Sequence, residues 1–193
     1  MTENSKNQLE ILIGQALAYL GEDIKRPGLK DTPTRVAQAL CEFTKGNQIP
    51  IANIAEKSLL KAPSQELVIL KDTEFYSLCE HHLLPFFGSV DIAYIPNKYI
   101  IGLGTLGQII DACSQKLQLQ ENLTEEIANI MQTALQPKGL MIIIRAQHFC
   151  IKMRGIKKQG SVTITRSTRG NLVTDASLRQ EATVLLQAER DFS

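Results

Sequence analysis

Charge of one sign is what this chain lacks first: 21 Lys and Arg stand against 20 Asp and Glu, a formal net charge of +1. Overall charge therefore gives no ground for nucleic-acid or membrane-surface binding. No apolar run reaches the length of a bilayer span. The opening "MTENSKNQLE" has no apolar core, so no secretory leader is expected. Cysteine is scarce too. Four in 193 residues do not make a disulfide scaffold, and an intracellular protein keeps them reduced. There is no tryptophan, no internal repeat and no low-complexity tract. What remains is a cytoplasmic globular chain, 44% apolar and long enough to bury a core.

Apolar spacing predicts helices over "NQLEILIGQALAYL" and "DTPTRVAQALCEF", the second capped by Asp31 or Thr32 with Pro33 in its first turn. "NQIPIANIAEKSLLKAPS" has no clear period and reads as a connection. "ELVILKDTEFYSL" and "SVDIAYIPN" read as strands, with Pro85 and Gly88 breaking the chain between them. Helices follow over about 105–117 and 123–136, then strands in "LMIIIRAQHFCIKM" and "SVTITRS", and a closing helix in "DASLRQEATVLLQAE". That order predicts an α+β fold on antiparallel strands, not an alternating βαβ series.

One stretch argues for a nucleotide-cofactor turn. "YIIGLGTLGQII" places Gly102, Gly104 and Gly107 as G-x-G-x-x-G, and Glu121 follows about twenty positions later. A dinucleotide site needs a parallel βαβ unit with its acid at the end of the second strand. Here Glu121 falls between two helical patterns, and no strand is expected after the first helix, so the reading is rejected.

The three histidines gather in two stretches, "LCEHHLLPFFG" and "AQHFCIKMRG". Cys79 and His82 are three apart, which in a turn brings both side chains to one side. A strand through the second stretch would put His148, Cys150, Lys152 and Arg154 on one face. Cys-x-x-His plus a distant Cys supplies three ligands suited to zinc, with one position open for water, a catalytic and not a structural pattern. His81 and His148 remain as acid–base groups. Singly, each of these residues would more often be core or surface; together they favour a metal site. Cys41 and Cys113 lie in apolar helical settings and are assigned to packing.

From Arg145 to Arg169 the chain carries Arg145, Lys152, Arg154, Lys157, Lys158, Arg166 and Arg169 with no acid among them. An edge-strand pair explains Lys157 and Lys158. Arg154, on the predicted face of His148 and Cys150, fits an anionic ligand better.

"CEHHLLPFFGSVDIAYIPN", "IGL", "QLQENLT" and "HFCIKMRG", with "TPTRVA" near the start, resemble GTP cyclohydrolase I over most of the chain. The resemblance implies a tunnelling fold, an antiparallel sheet with helices on one face, in residues 61–193 behind an N-terminal helical region at 1–60. It implies a homodecamer closed into a β-barrel, with sites at subunit interfaces. Zinc is then bound by Cys79, His82 and Cys150, with His81 and His148 catalytic. Glu121 becomes the guanine reader, Gln120 a neighbour of the base, and Arg154 and Arg35 phosphate contacts. The implied reaction opens the guanine imidazole ring of GTP, releases C8 as formate and closes 7,8-dihydroneopterin triphosphate.

The likeness breaks in the opening glycines. Where the family carries Ser, Lys and Arg for the triphosphate and ribose, this chain has Gly104, Thr105 and Gln108. Three readings follow. GTP is still the substrate, with helix N–H groups, Thr105 and Arg166 or Arg169 replacing lost contacts. Or a less phosphorylated guanine nucleotide or nucleoside is used. Or the chain is a non-catalytic purine binder, which the intact zinc and histidine set argues against. A nitrile reductase of the same fold, with a cysteine nucleophile and NADPH, is disfavoured by the Cys79–His82–Cys150 set. Arg145 stands where the family usually has an acid; on a strand it faces away from His148, which suggests an altered subunit contact.

Overall fold

Side-chain capping and proline placement set the first helices. The computed structural model describes residues 2–188. Helix α1 (Glu3–Tyr19) begins where Thr2 Oγ1 accepts the Ser5 N–H, and α2 (Thr32–Phe43) carries Pro33 in its first turn. The two form a hairpin with little core of its own: α1 buries no residue and α2 only Ala37. The presumed connection after it is more ordered than its sequence suggests. It holds a 3-10 turn (Lys45–Gln48), α3 (Ile51–Glu56) and β1 (Leu59–Lys61). Elements this short are held by tertiary contacts and leave no period to read. Ala55 of α3, for example, is wholly buried in the main core.

The remaining elements are β2 (Val68–Cys79), β3 (Pro85–Ile95), β4 (Tyr99–Ile101), α4 (Leu103–Ser114), β5 (Leu117–Gln118), α5 (Gln120–Leu135), β6 (Gly139–His148), α6 (Phe149–Lys152), β7 (Thr163–Gly170), α7 (Asn171–Thr174) and α8 (Ala176–Gln187). The closing helix was expected to reach Glu189, which lies outside the described residues. The main sheet has the order β5-β2-β3-β6-β7; all its pairings are antiparallel except β5 with β2. The α+β expectation on antiparallel strands therefore holds.

Three local expectations are corrected. Gly88 does not break the chain but lies inside β3. A Cβ there would sit 1.8 Å from the Arg145 carbonyl oxygen, so glycine is what lets β6 approach β3. A strand does follow the first of the two central helices, the two-residue β5. The dinucleotide reading stays excluded, because β4 pairs only with β1 in a separate two-stranded sheet and no βαβ unit forms. Finally, β6 stops at His148 instead of running through Arg154. Its partner β3 begins at Pro85, and the last rung of the ladder is Phe86 opposite His148. Beyond that rung there is no strand to pair with, and Phe149–Lys152 coils into a helical turn.

Alternation along the strands sorts the sheet into two faces. Val90, Ile92, Leu140, Ile142, Ile144 and Ala146 pack under Leu106, Ile109, Ile110 of α4 and Leu123, Ile127, Met131 of α5. At one end of the opposite face, Ala93, Ile95 and Met141 meet Leu172, Ala182 and Leu186, so α8 adds a partial third layer. On that second face Asp91 is fully buried. Its carboxylate accepts the Asp72 N–H at 2.7 Å and pairs with the Arg145 guanidinium. Arg145 thus has a partner within its own chain, and removing it leaves a buried charge without its cation. Arg145→Met should cost about 3 kcal/mol, the low end for a broken buried pair because a third of the Arg145 side chain meets solvent. Urea unfolding checks this; a loss under about 0.5 kcal/mol would show that the pair does not hold β3 to β6.

Candidate active site

The site grows from two chain ends that the sheet register brings together. Strand β2 ends at Cys79, and the chain reverses over Glu80–Leu84 before β3. Three backbone bonds close this turn: Cys79 N–H donates to Leu84 O, while His82 and Leu83 N–H donate to Cys79 O. Leu83 takes a left-handed φ of 54° to complete it. The reversal folds His82 over Cys79, with Nδ1 3.8 Å from Sγ. Across the sheet, the helical turn after His148 swings Cys150 to the same spot. The ligand atoms of Cys79, His82 and Cys150 all lie within 4.8 Å of one another.

This group could hold a metal ion. Cys79 forms its buried wall, Cys150 is half-buried and His82 is exposed, so one side stays open. Burial pushes the Cys150 thiol above its ordinary range, and the adjacent Cys79 pushes it further the same way. A bound cation reverses both effects by stabilising the thiolates.

His148 stands at the last rung of β6 under tight constraint. Its ring stacks on Phe86, centroids 4.6 Å apart and planes 3° from parallel. Its Nε2 lies 2.8 Å from Gln120 Oε1. Burial holds its pKa below the usual imidazole value, and the negative charge of Glu121 works in the opposite direction. Gln120 and Glu121 are the first two residues of α5; Gln120 is buried and Glu121 exposed. His81 is exposed in the β2–β3 turn, its ring perpendicular to that of His82 with centroids 6.0 Å apart.

The structure thus brings together Cys79, His82, Cys150, His148, Gln120 and Glu121, with His81 on the same turn. Arg154 is exposed four residues beyond Cys150, in the loop before β7. Other expected contacts lie elsewhere in the subunit. Thr105 is near the start of α4, whereas the far end of α4 leads into β5, which pairs with Leu78 and Cys79. Thr105 is the third residue of α4, and the nine residue steps from it to Ser114 span roughly 14 Å. Arg166 is opposite Ile143 in the β6–β7 register, on the sheet face away from His148. Arg35 is exposed on α2 and pairs with Asp31 at 3.4 Å. Arg169 pairs with Glu125 at 2.7 Å. Sequence reasoning missed Phe86, Thr124 and Thr165, which act on the site through His148 and Gln120. Only the strand register could have pointed to Phe86, and no spacing signal marks the two threonines.

A family model for GTP cyclohydrolase I matches residues 9–187. A protein named GTP cyclohydrolase 1 from Porphyromonas gingivalis is 42% identical over 189 residues, 97% of each chain. Another of that name from a Hydrogenobaculum species is 47% identical over 165 residues, covering 86% of this chain and 88% of its own. Among solved structures, one titled as the apo form of the archaeosine synthase QueF-Like aligns with a TM-score of 0.45 and 20% identity, over 57% of this chain and 97% of that one. The matched span contains the whole Cys79–His82–Cys150 group and the His148–Gln120–Glu121 cluster beside it, and on that match the chain belongs to the GTP cyclohydrolase I family.

Proposed function

We propose that this protein is a zinc-dependent GTP cyclohydrolase I, which opens the guanine imidazole ring of GTP, releases formate and forms 7,8-dihydroneopterin triphosphate. The observation that carries the reading is the placement of three convergent ligand atoms beside a stacked, half-buried histidine. Two thiolates and an imidazole suit zinc, and a tetrahedral set would space them by roughly 3.6–3.8 Å, against the 3.8 Å between Cys79 and His82. Bound zinc supplies Lewis-acid activation of water for attack at C8.

The chain's own residues supply binding and proton transfer. The Glu121 carboxylate accepts the amino and ring N–H groups of guanine, a pattern adenine does not offer. His148, held neutral near pH 7 by burial, takes the proton that the attacking water loses and returns it to the purine nitrogen as the ring opens. His81, exposed on the turn, moves protons during formate release. Gln120 lies next to the base, and Arg154 and Arg35 contact phosphate.

The site is completed by other copies of the chain. Thr105 lies in the first turn of α4, at the end away from β5 and the Cys79 ligand, so in this reading it reaches the triphosphate of a neighbouring copy's site. Arg166 likewise contributes only to a neighbour's site. The edges of the sheet allow such assembly: β5 covers only Leu78 and Cys79 of β2, and β7 is the other edge. A homodecamer closed into a barrel is the proposed assembly. Residues 1–60 form its helical extension and 61–193 its catalytic domain, although that boundary falls inside β1. No helix of the described residues is long and apolar enough to cross a membrane. The proposed enzyme is cytoplasmic and acts on a small-molecule substrate, without membrane or nucleic-acid partners.

A second reading rests on α4, whose sequence from Leu103 to Ser114 contains no Lys or Arg. Two uncompensated charge-assisted phosphate contacts, worth roughly 1.5–3 kcal/mol each, weaken binding by a few hundred-fold or more. A less phosphorylated guanine compound would then be the substrate. Formate release by zinc-loaded protein with GTP, GMP and guanosine separates the two. GTP is expected to give the highest kcat/KM. Preference for GMP or guanosine would replace the first reading with the second, and no release from any of them would leave a purine-binding relative.

A further inference from the structure

Gln120 has a more specific task than lying near the base. Its side-chain nitrogen donates to three oxygens of its own chain: Ile144 O at 3.0 Å, Thr163 O at 3.1 Å and Thr165 Oγ1 at 3.0 Å. The amide has two hydrogens, so all its donor capacity is used. A flipped amide would turn its oxygen onto two backbone carbonyls, acceptor against acceptor, and is excluded.

The surrounding hydroxyls agree with this orientation. Thr124 donates its one hydroxyl proton to Gln120 O at 2.7 Å. In the 2.7 Å contact between Thr124 and Thr165, the donor must therefore be Thr165. Thr165 Oγ1 is left to accept from the Gln120 amide. Every proton in the loop Gln120–Thr165–Thr124–Gln120 has one consistent direction. The loop ties the first turn of α5 to β7, and Gln120 is 1% exposed. Among the described residues the side-chain oxygen of Gln120 meets only His148 Nε2, at 2.8 Å, and an oxygen there can only accept.

We infer that Gln120 is a positioning residue that fixes His148 as the Nε2–H tautomer, so that Nδ1 is the ring nitrogen that exchanges protons with substrate. Phe86 fixes the plane of the same ring by stacking, and Gln120 fixes which edge is basic. The inference rests on the reading of His148 as the proton-transfer group. It makes Gln120 a residue that acts through His148, with no side-chain donor left for guanine.

The test is nitrogen NMR of the substrate-free, zinc-loaded protein with 15N-labelled histidine, at a pH where the ring is neutral. The expected spectrum gives His148 a protonated, pyrrole-like Nε2 and an unprotonated, pyridine-like Nδ1. A protonated Nδ1 in the wild type overturns the inference. Gln120→Met, similar in size but without an acceptor at that point, should mix the two tautomers and lower kcat by about 10²–10⁴-fold while KM changes little. A Met variant with unchanged tautomer and kcat also overturns it. The spectrum is read without turnover, so it decides this point even if formate release fails and takes the proposed reaction with it.

Discussion

Replacing Cys150 with alanine is expected to strip the protein of its metal and lower formate release by at least about 10³-fold, the equivalent of several kcal/mol of Lewis-acid stabilisation. Among the described residues, three candidate ligands converge here. Losing one leaves Cys79 and His82, whose spacing is set by the β2–β3 turn but which no longer enclose an ion. The fold should survive. Cys150 is half-buried on a four-residue helical turn at the margin of the main core, not inside it. Elemental analysis after desalting reads the metal and circular dichroism reads the fold. One zinc per chain in the alanine variant, with normal turnover, would mean that the metal sits elsewhere. The pH dependence has a definite sign. Metal binding requires both thiols to lose their protons, and burial and Cys79 raise the Cys150 pKa. Uptake therefore weakens as pH falls, and competition from protons extends to higher pH than for an ordinary thiol.

The group that could hold a metal was legible because its chemistry is local on one side and topological on the other. Cys79 and His82 lie within one turn, and their spacing alone brings them together. Cys150 was placed correctly by a partly wrong argument. A continuous strand was expected to align it with His148, yet β6 ends at His148 because β3 offers no partner beyond Phe86. The helical turn after His148 brings Cys150 to Cys79 and His82 instead. Gly88 misled for a related reason. As a sequence letter it looks like a breaker, but its use is the close approach of β6, visible only from the neighbouring strand. The role of Gln120 was out of reach. It depends on Thr165 and His148, 45 and 28 residues away, and such pairings arise from register and not from any pattern along the chain. Cys113 was read correctly as packing. It is fully buried in the main core, where burial with the nearby Glu126 pushes its thiol up to about 12, and it lies outside the Cys79–His82–Cys150 group.

Glu121→Ala should lower kcat/KM for GTP by about 10³-fold or more while leaving the protein folded. The carboxylate is exposed in the first turn of α5 and makes no ion pair among the described residues. Its loss costs stability only the favourable interaction with the helix N-terminus, about 0.3–1 kcal/mol. What it costs in function has two parts. Guanine loses the acceptor for its amino and ring N–H groups, so discrimination against inosine triphosphate, which lacks the amino group, should collapse along with affinity. His148 loses the one negative charge that raises its pKa, while the burial that lowers it remains. Its pKa must therefore fall further, and the acidic limb of the kcat profile should move to lower pH. Glu121→Gln separates the parts: it removes the charge but keeps one acceptor, so it should show the full pH shift and a smaller loss of discrimination. Equal use of GTP and inosine triphosphate by the wild type would place the base away from Glu121, and a pH profile that does not move would mean that its charge is not felt at His148 during turnover.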